Sequence, residues 1–234
     1  VYKRQNLTKF IVWTLPTNMG EGLVILAAIF VGAHLPILPV QILWINMTTA
    51  VLLGLMLAFE PKEDDIMRRP PRDPKRPILT GELIGRIVGV SIIMLVGAFG
   101  SFEWAVGQGY SDAFARTVSV NVFVMVELFY LFNCRSLTKS MFALGVFSNR
   151  WIGVGVTSMV ILQLVFTYVP LMNHVFHSEP IGWDAWWRIL LTGLATYLIV
   201  GFEKWVRRKR KERNVTMANE THVPPNGQDR GSPR

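Results

Sequence analysis

The chain has 234 residues, of which 51% are hydrophobic and 17% are charged. This composition is typical of a membrane protein. The net charge of +8 does not indicate nucleic-acid binding, because the basic residues lie in the gaps between apolar runs. A single cysteine, Cys134, excludes a disulfide framework and a CxxC metal site.

Six apolar segments are each near the length of about 20 residues that a helix needs to cross a bilayer. The fourth segment is short and contains both Asn121 and Glu127. Most tryptophans lie near segment ends, as they do in the aromatic belts of membrane proteins. We therefore predict an all-α fold, a polytopic membrane bundle of six transmembrane helices. The predicted segments are 10–33, 40–59, 83–106, 117–132, 151–170 and 183–202.

Positive charge alternates along the connections between these segments. Lysine and arginine are concentrated before the first segment, between the second and third, between the fourth and fifth, and after the sixth. The positive-inside rule assigns such regions to the cytosol. We therefore predict that both termini are cytosolic.

The same pattern divides the chain into three parts. Residues 10–213 form the predicted six-helix transmembrane domain, and residues 1–9 precede it on the cytosolic side. The chain begins at Val1 rather than at a methionine, so we expect it to be a piece of a longer protein. Polar residues with prolines and glycines predict a disordered cytosolic tail over 214–234.

Three glycines at the start of the third segment, Gly81, Gly85 and Gly89, are spaced four residues apart. This spacing predicts the close approach of another helix.

A carboxylate interrupts the first apolar segment. Glu21 follows an amide, Asn18, by three residues, so the two share a helix face, with Thr14 and Thr17 on the adjoining turn. An ionisable residue deep in a bilayer costs about 2.5–3.5 kcal/mol on insertion scales, which favours a functional role. The alternative is a polar cluster that holds helices together. Pro16 predicts a kink or break nearby, which either exposes backbone ligands or only adjusts packing.

Two other segments carry matching polar residues. Asn46 and Thr49 share a helix face in the second segment, and Gly54 follows at a position that would loosen the helix or admit a neighbour. Carboxylate, amide and hydroxyl oxygens are ligands of hard cations. The middle of the segments contains no thiol or imidazole, which argues against a soft transition metal. We therefore predict a cation site where three helices converge, formed by Asn18, Glu21, Asn46, Thr49 and Glu127.

Three stretches of the sequence are distinctive: NMGE at 18–21, PVQILWIN at 39–46 and DIMRRPPR at 65–72. Together they resemble the C-terminal membrane region of P-type cation-transporting ATPases, most closely sarco/endoplasmic-reticulum-type calcium pumps and their bacterial relatives. The resemblance covers about residues 7–213. It implies that the motifs lie on the fifth and sixth of ten membrane helices and on the loop that follows. It also implies cation ligands on the fifth, sixth and eighth helices, which here are Asn18 and Glu21, Asn46 and Thr49, and Glu127.

One position departs from the family pattern. The family has an aspartate on the sixth helix next to the threonine, and this chain has Ala50 there. The departure removes a formal charge from a site whose calcium affinity depends on charge count. With Glu21 and Glu127 as the carboxylates, two calcium ions would be undercompensated. The resemblance therefore leaves Ca²⁺ or a monovalent cation, Na⁺, K⁺ or H⁺, as the transported ion.

The resemblance implies that the chain is the ion-binding and support region of a larger ATP-driven pump. The family's phosphorylation motif, Asp-Lys-Thr-Gly-Thr, does not occur in the sequence. We therefore expect no catalytic residue and no cofactor in this chain, with ATP and Mg²⁺ bound by other domains of the parent protein. The expected partners are the lipid bilayer and the N-terminal helices and cytosolic domains of the same pump, but not nucleic acid.

The expected location is the plasma (inner) membrane, as a multi-pass integral protein. Two further classes stay open at this point. One is a six-span passive ion channel or carrier, which would use the same buried carboxylates without ATP. The other is a non-catalytic membrane scaffold, in which the polar residues only pack.

Overall fold

The computed structural model describes residues 2–60, 79–136 and 149–220, and this part of the chain contains helices and no strand. Within it, six stretches are long and apolar enough to cross a membrane. This confirms the predicted all-α membrane bundle of six helices. The elements are α1 (Tyr2–Val31), α2 (Pro39–Thr49), a π-helix (Ala50–Gly54), α3 (Leu55–Ala58), α4 (Gly81–Gly107), α5 (Asp112–Cys134), α6 (Arg150–Tyr168), α7 (Pro170–Phe176) and α8 (Trp183–Glu220).

The helix ends differ from the predicted segments in several places. α6 ends at Tyr168, and Pro170 starts the short helix α7, because proline suits the first turn of a helix. α8 continues to Glu220, so residues 214–220 are helical where the sequence predicted the start of a disordered tail. The rest of that tail, 221–234, and the motif at 65–72 lie outside the described residues. The cytosolic orientation of the termini stays a prediction.

The central helix of the bundle is α5. Burial within the protein covers 83% of its most apolar window, against 28–33% for the other five candidate spans. It packs against α1, α2, α4, α6 and α8. Asn121 and Glu127, which lower the hydropathy of this segment, therefore face protein rather than lipid, where polar residues are tolerated.

α1 is continuous through Pro16, so the predicted break does not occur. Proline lacks an N–H group, which leaves the carbonyl of Val12 without its helical donor. The Tyr130 hydroxyl of α5 donates a hydrogen bond to this carbonyl at 3.2 Å. On α4, Ser91 Oγ donates to the Pro16 carbonyl at 3.0 Å. The proline thus joins α1 to two neighbouring helices instead of interrupting it.

A buried ion pair ties four segments together at one end of the bundle. Glu60, just after α3, accepts hydrogen bonds from Arg135 Nε at 3.0 Å and from Asn149 Nδ2 at 2.9 Å. Its backbone carbonyl also accepts a hydrogen bond from Asn6 Nδ2 of α1 at 3.0 Å. Removing one partner of such a buried pair is strongly destabilising, so this network fixes how the helix ends meet.

A close approach between two helices occurs at a different glycine from those predicted. Among the described residues, an added Cβ would meet nothing within 4 Å at Gly81, Gly85 or Gly89, so no described helix packs closely there and their packing role stays a prediction. At Gly155 of α6, a Cβ would lie 2.1 Å from the Leu52 carbonyl oxygen and 2.6 Å from Met56 Cγ. The absence of a side chain at Gly155 therefore allows α6 to lie directly against the second span.

We expect Gly155→Ala to lower stability by about 1–3 kcal/mol, because the new methyl group meets a backbone carbonyl that cannot rotate away. The measurement is the thermal unfolding midpoint of the purified protein in detergent. Gly153→Ala is the matched control, since its Cβ would enter open space and alanine favours a helix. Equal midpoints for the two variants would contradict the packing of α6.

Candidate functional site

The structure brings four of the five predicted site residues into two contacting pairs. Asn46 Nδ2 of α2 donates a hydrogen bond to Glu21 Oε2 of α1 at 2.9 Å. One turn further along α2, Thr49 Oγ1 lies 3.5 Å from Glu127 Oε1 of α5, a long and weak hydrogen bond. Three helices that are distant in sequence therefore meet at this cluster.

Both carboxylates are buried. Glu21 is 4% exposed and Glu127 is 1% exposed. They are close enough to interact electrostatically, and no arginine or lysine hydrogen bond to either is seen among the described residues. Two buried carboxylates without a cationic partner are unfavourable when both are ionised, because their charges repel in a medium of low dielectric constant.

Asn18 does not join this cluster. It is exposed on α1, and within the described residues no hydrogen bond links it to the other four side chains. Asn18 and Glu21 were expected to share a helix face, but in the structure Asn18 is exposed while Glu21 is buried, so the role of Asn18 as a ligand stays a prediction. Thr17, four residues before Glu21, occupies the buried face instead and is 1% exposed. Its hydroxyl lies near the Glu127 carboxyl, but the geometry does not meet the criteria for a hydrogen bond between them.

Three oxygen atoms of the cluster are buried without a hydrogen-bond partner: Glu21 Oε1, Glu127 Oε2 and Thr17 Oγ1. Buried polar atoms are rarely left in this state unless a water, an ion or a proton completes them. Oxygen atoms of these types suit a hard cation. In the described ranges, no three His, Cys, Asp or Glu side chains lie close enough together to hold a metal ion. The negative charge available at this cluster is therefore that of two carboxylates.

Trp13 holds the backbone of the site in place. Its indole Nε1 donates a hydrogen bond to the carbonyl of Glu127 at 3.1 Å. Trp13 is 1% exposed and belongs to the core. This hydrogen bond joins α1 to α5 at the level of Glu127. No motif or spacing in the sequence pointed to this contact of Trp13.

The π-helix begins directly after Thr49. It runs from Ala50, the position where an aspartate is expected by resemblance, to Gly54. A Cβ on Gly54 would lie 2.6 Å from Phe10 Cε2, so an aromatic ring of α1 fills the space that the glycine leaves. This agrees with the prediction that Gly54 loosens the helix and admits a neighbour. Short π-helical turns inside α-helices occur often at functional sites.

The fold and the site together define a polytopic helical membrane protein with two carboxylates buried at the meeting point of three helices. The family model for the C-terminus of cation transporting ATPases matches residues 34–206. The chain therefore belongs to this family, the C-terminal membrane region of P-type cation-transporting ATPases, which confirms the resemblance seen in the sequence motifs.

Relatives support the same assignment. The chain is 56% identical to the "Probable cation-transporting ATPase F" of Mycobacterium tuberculosis. The alignment extends over 207 residues, which are 88% of this chain and 23% of that protein. It is 36% identical to a cation-transporting ATPase of Synechocystis, over 78% of this chain and 21% of the relative. It is 32% identical to the calcium-transporting ATPase of Bacillus subtilis, over 84% of this chain and 22% of the relative. The chain thus spans about a quarter of the length of these relatives.

We expect Asn46→Ala and Glu21→Leu to be energetically coupled, because the first removes the donor and the second removes the acceptor of the same buried hydrogen bond. A double-mutant cycle on the free energy of unfolding should give a coupling of about 1 kcal/mol or more. The measurement is denaturant-induced unfolding of the purified protein. The matched control cycle pairs Asn18→Ala with Glu21→Leu and should give a coupling near zero. Similar coupling in both cycles would contradict the pairing of Glu21 with Asn46.

Proposed function

We propose that this chain forms the ion-binding membrane region of an ATP-driven cation pump. The observation that carries the proposal is the pair of buried carboxylates on α1 and α5, each with one oxygen that has no partner. Membership of the cation-transporting ATPase family supports it. On this proposal ATP and Mg²⁺ bind to other domains of the parent protein, and both termini of this chain lie on the cytosolic side of the plasma (inner) membrane.

In the proposed site Glu21 and Glu127 are the charged ligands, and Thr49 and Asn46 complete it from α2. Asn46 holds Glu21 Oε2, so Glu21 Oε1 is the oxygen free to meet a cation. Thr17 adds a hydroxyl from the same helix as Glu21. Asn18 is proposed as a ligand by resemblance only, because it is exposed on α1 and does not contact the other four side chains. It would reach them only if α1 rotated.

Transport requires that the site bind its cation differently in two states of the protein. A cation between the carboxylates relieves their repulsion, and a proton relieves it in its absence. Each carboxylate can therefore exchange a cation for a proton as its surroundings alternate. The π-helix after Thr49 is the proposed point at which α2 adjusts during the exchange, because its widened turn is already irregular.

The charge of the site limits the ion that it carries. Two carboxylates balance one Ca²⁺, or one monovalent cation when one of them is protonated. Ala50 supplies no third carboxylate. We therefore propose a single cation per transport cycle, either Ca²⁺ or one of Na⁺, K⁺ and H⁺. The names of the relatives allow both readings, since some are called calcium-transporting and others only cation-transporting.

In the full-length pump, Glu21→Gln should abolish cation-stimulated phosphorylation from ATP, because the substitution removes half of the site's charge with little change in shape. The measurement is incorporation of phosphate from labelled ATP across a panel of cations. Glu103→Gln is the matched control, since Glu103 is exposed on α4, and it should keep wild-type stimulation. Normal stimulation in Glu21→Gln would refute the role of Glu21. A protein that conducts ions without any phosphorylation would instead be a passive channel or carrier.

Ala50→Asp should raise the affinity for divalent cations by roughly tenfold or more, which corresponds to about 1.4 kcal/mol. The added carboxylate would lie next to Thr49 and increase the charge of the site. The measurement is the calcium concentration that gives half-maximal phosphorylation. Ala50→Asn is the control, because it adds the same bulk without charge. If both variants shift the affinity equally, charge is not what limits divalent binding at this position.

A further inference from the structure

A second candidate site lies in the groove between α5, α6 and α8. The groove has a volume of about 700 Å³, which is within the range of small-molecule sites. None of the five predicted cation ligands lines it. Most of its wall is aliphatic and aromatic, with Val124, Leu128 and Phe132 of α5, Val160 and Leu164 of α6, and Leu190 of α8.

Two amide side chains, Asn121 of α5 and Gln163 of α6, lie in this mostly apolar wall, and the bonds that they make fix their orientation. Asn121 Nδ2 donates to the Thr117 carbonyl at 2.8 Å and to Thr167 Oγ1 at 3.2 Å, so the nitrogen must face these acceptors. Gln163 Oε1 accepts a hydrogen bond from Trp44 Nε1 at 3.3 Å, and an indole N–H can only donate. Neither amide can therefore be turned over without losing a bond.

This orientation leaves one acceptor and one donor without a partner. Asn121 Oδ1 and Gln163 Nε2 are both buried and make no hydrogen bond. Asn121 is 1% exposed and Gln163 is 5% exposed, and both line the groove. A buried unpaired polar group costs free energy comparable to a lost hydrogen bond, so the two atoms favour an occupant that satisfies them.

A hydroxyl group matches this pair, because it donates one hydrogen bond and accepts others. It can donate to Asn121 Oδ1 and accept from Gln163 Nε2. None of the residues that line the groove is charged, so the wall gives no ion pair to a phosphate or ammonium head group. Tyr168, Trp183 and Trp186 also line it, and residues of these types favour the membrane–water interface.

We propose that the groove binds a neutral, membrane-dissolved molecule with an apolar body and one hydroxyl group. The apolar body lies along the aliphatic wall of α5, α6 and α8. The hydroxyl lies between Asn121 and Gln163. This inference does not depend on the cation site, because it concerns other side chains and a ligand from the lipid phase.

The test is photolabelling of the natural full-length protein in phospholipid vesicles, with a long-chain alcohol and an alkane of equal length that carry the same photoreactive group. We expect labelling of peptides from α5, α6 and α8, with the alcohol preferred by roughly 5- to 30-fold, as one to two hydrogen bonds would give. Equal labelling by the two probes would overturn the proposal. Stronger labelling by a phospholipid probe than by the alcohol would also overturn it.

Two variants test the site itself. Gln163→Met keeps the size of the side chain and removes the donor, so the preference for the alcohol should fall by about fivefold. Val160→Trp fills the groove and should abolish labelling there, whereas Val154→Trp, on the exposed lipid side of α6 and outside the groove, should leave it unchanged. Labelling that survives Val160→Trp overturns the proposal even if Gln163→Met fails to fold.

Discussion

The burial of two carboxylates, Glu21 and Glu127, is the constraint on which this structure depends. An ionised carboxylate in an apolar medium is costly unless neighbouring groups compensate it. Glu127 can be tolerated because α5 lies at the centre of the bundle and is shielded from lipid by the helices around it. Glu21 is tolerated because Asn46 donates to one of its oxygens. One oxygen of each carboxylate, Glu21 Oε1 and Glu127 Oε2, has no hydrogen-bond partner among the described residues, and this is the observation on which the proposed cation site rests.

Much of this arrangement could be predicted from the sequence. Apolar segment length predicted six spanning helices, and helical spacing placed Asn46 and Thr49 on the side of α2 that meets the carboxylates. Spacing could not decide which way α1 is rotated, because Asn18 and Thr17 are neighbours and each is compatible with a face that includes Glu21. The rotation is set by contacts between helices, such as those of Trp13 with α5 and Pro16 with α4. The sequence indicated a looser helix or a close neighbour at Gly54, but not that the irregular turn would be a π-helix or that the neighbour would be Phe10.

α5 carries two polar clusters of different character. Glu127 and its neighbours offer charge, which suits a cation. Asn121, between one and two turns nearer the start of the helix, offers an uncharged acceptor next to the uncharged donor of Gln163, which suits a hydroxyl group. The hydropathy of the segment shows only that polar residues are present. Their partners in the folded protein decide which chemistry each cluster supports, and these partners come from α1 and α2 in one case and from α6 in the other.

The central claim is that Glu21 and Glu127 together form one cation site. Its most direct test is the equilibrium binding of radioactive calcium and sodium to the full-length pump, measured per phosphorylation site. The account predicts one bound cation in the wild-type protein and none in the double variant Glu21→Gln/Glu127→Gln. Two bound calcium ions in the wild type, or unchanged binding in the double variant, would contradict it.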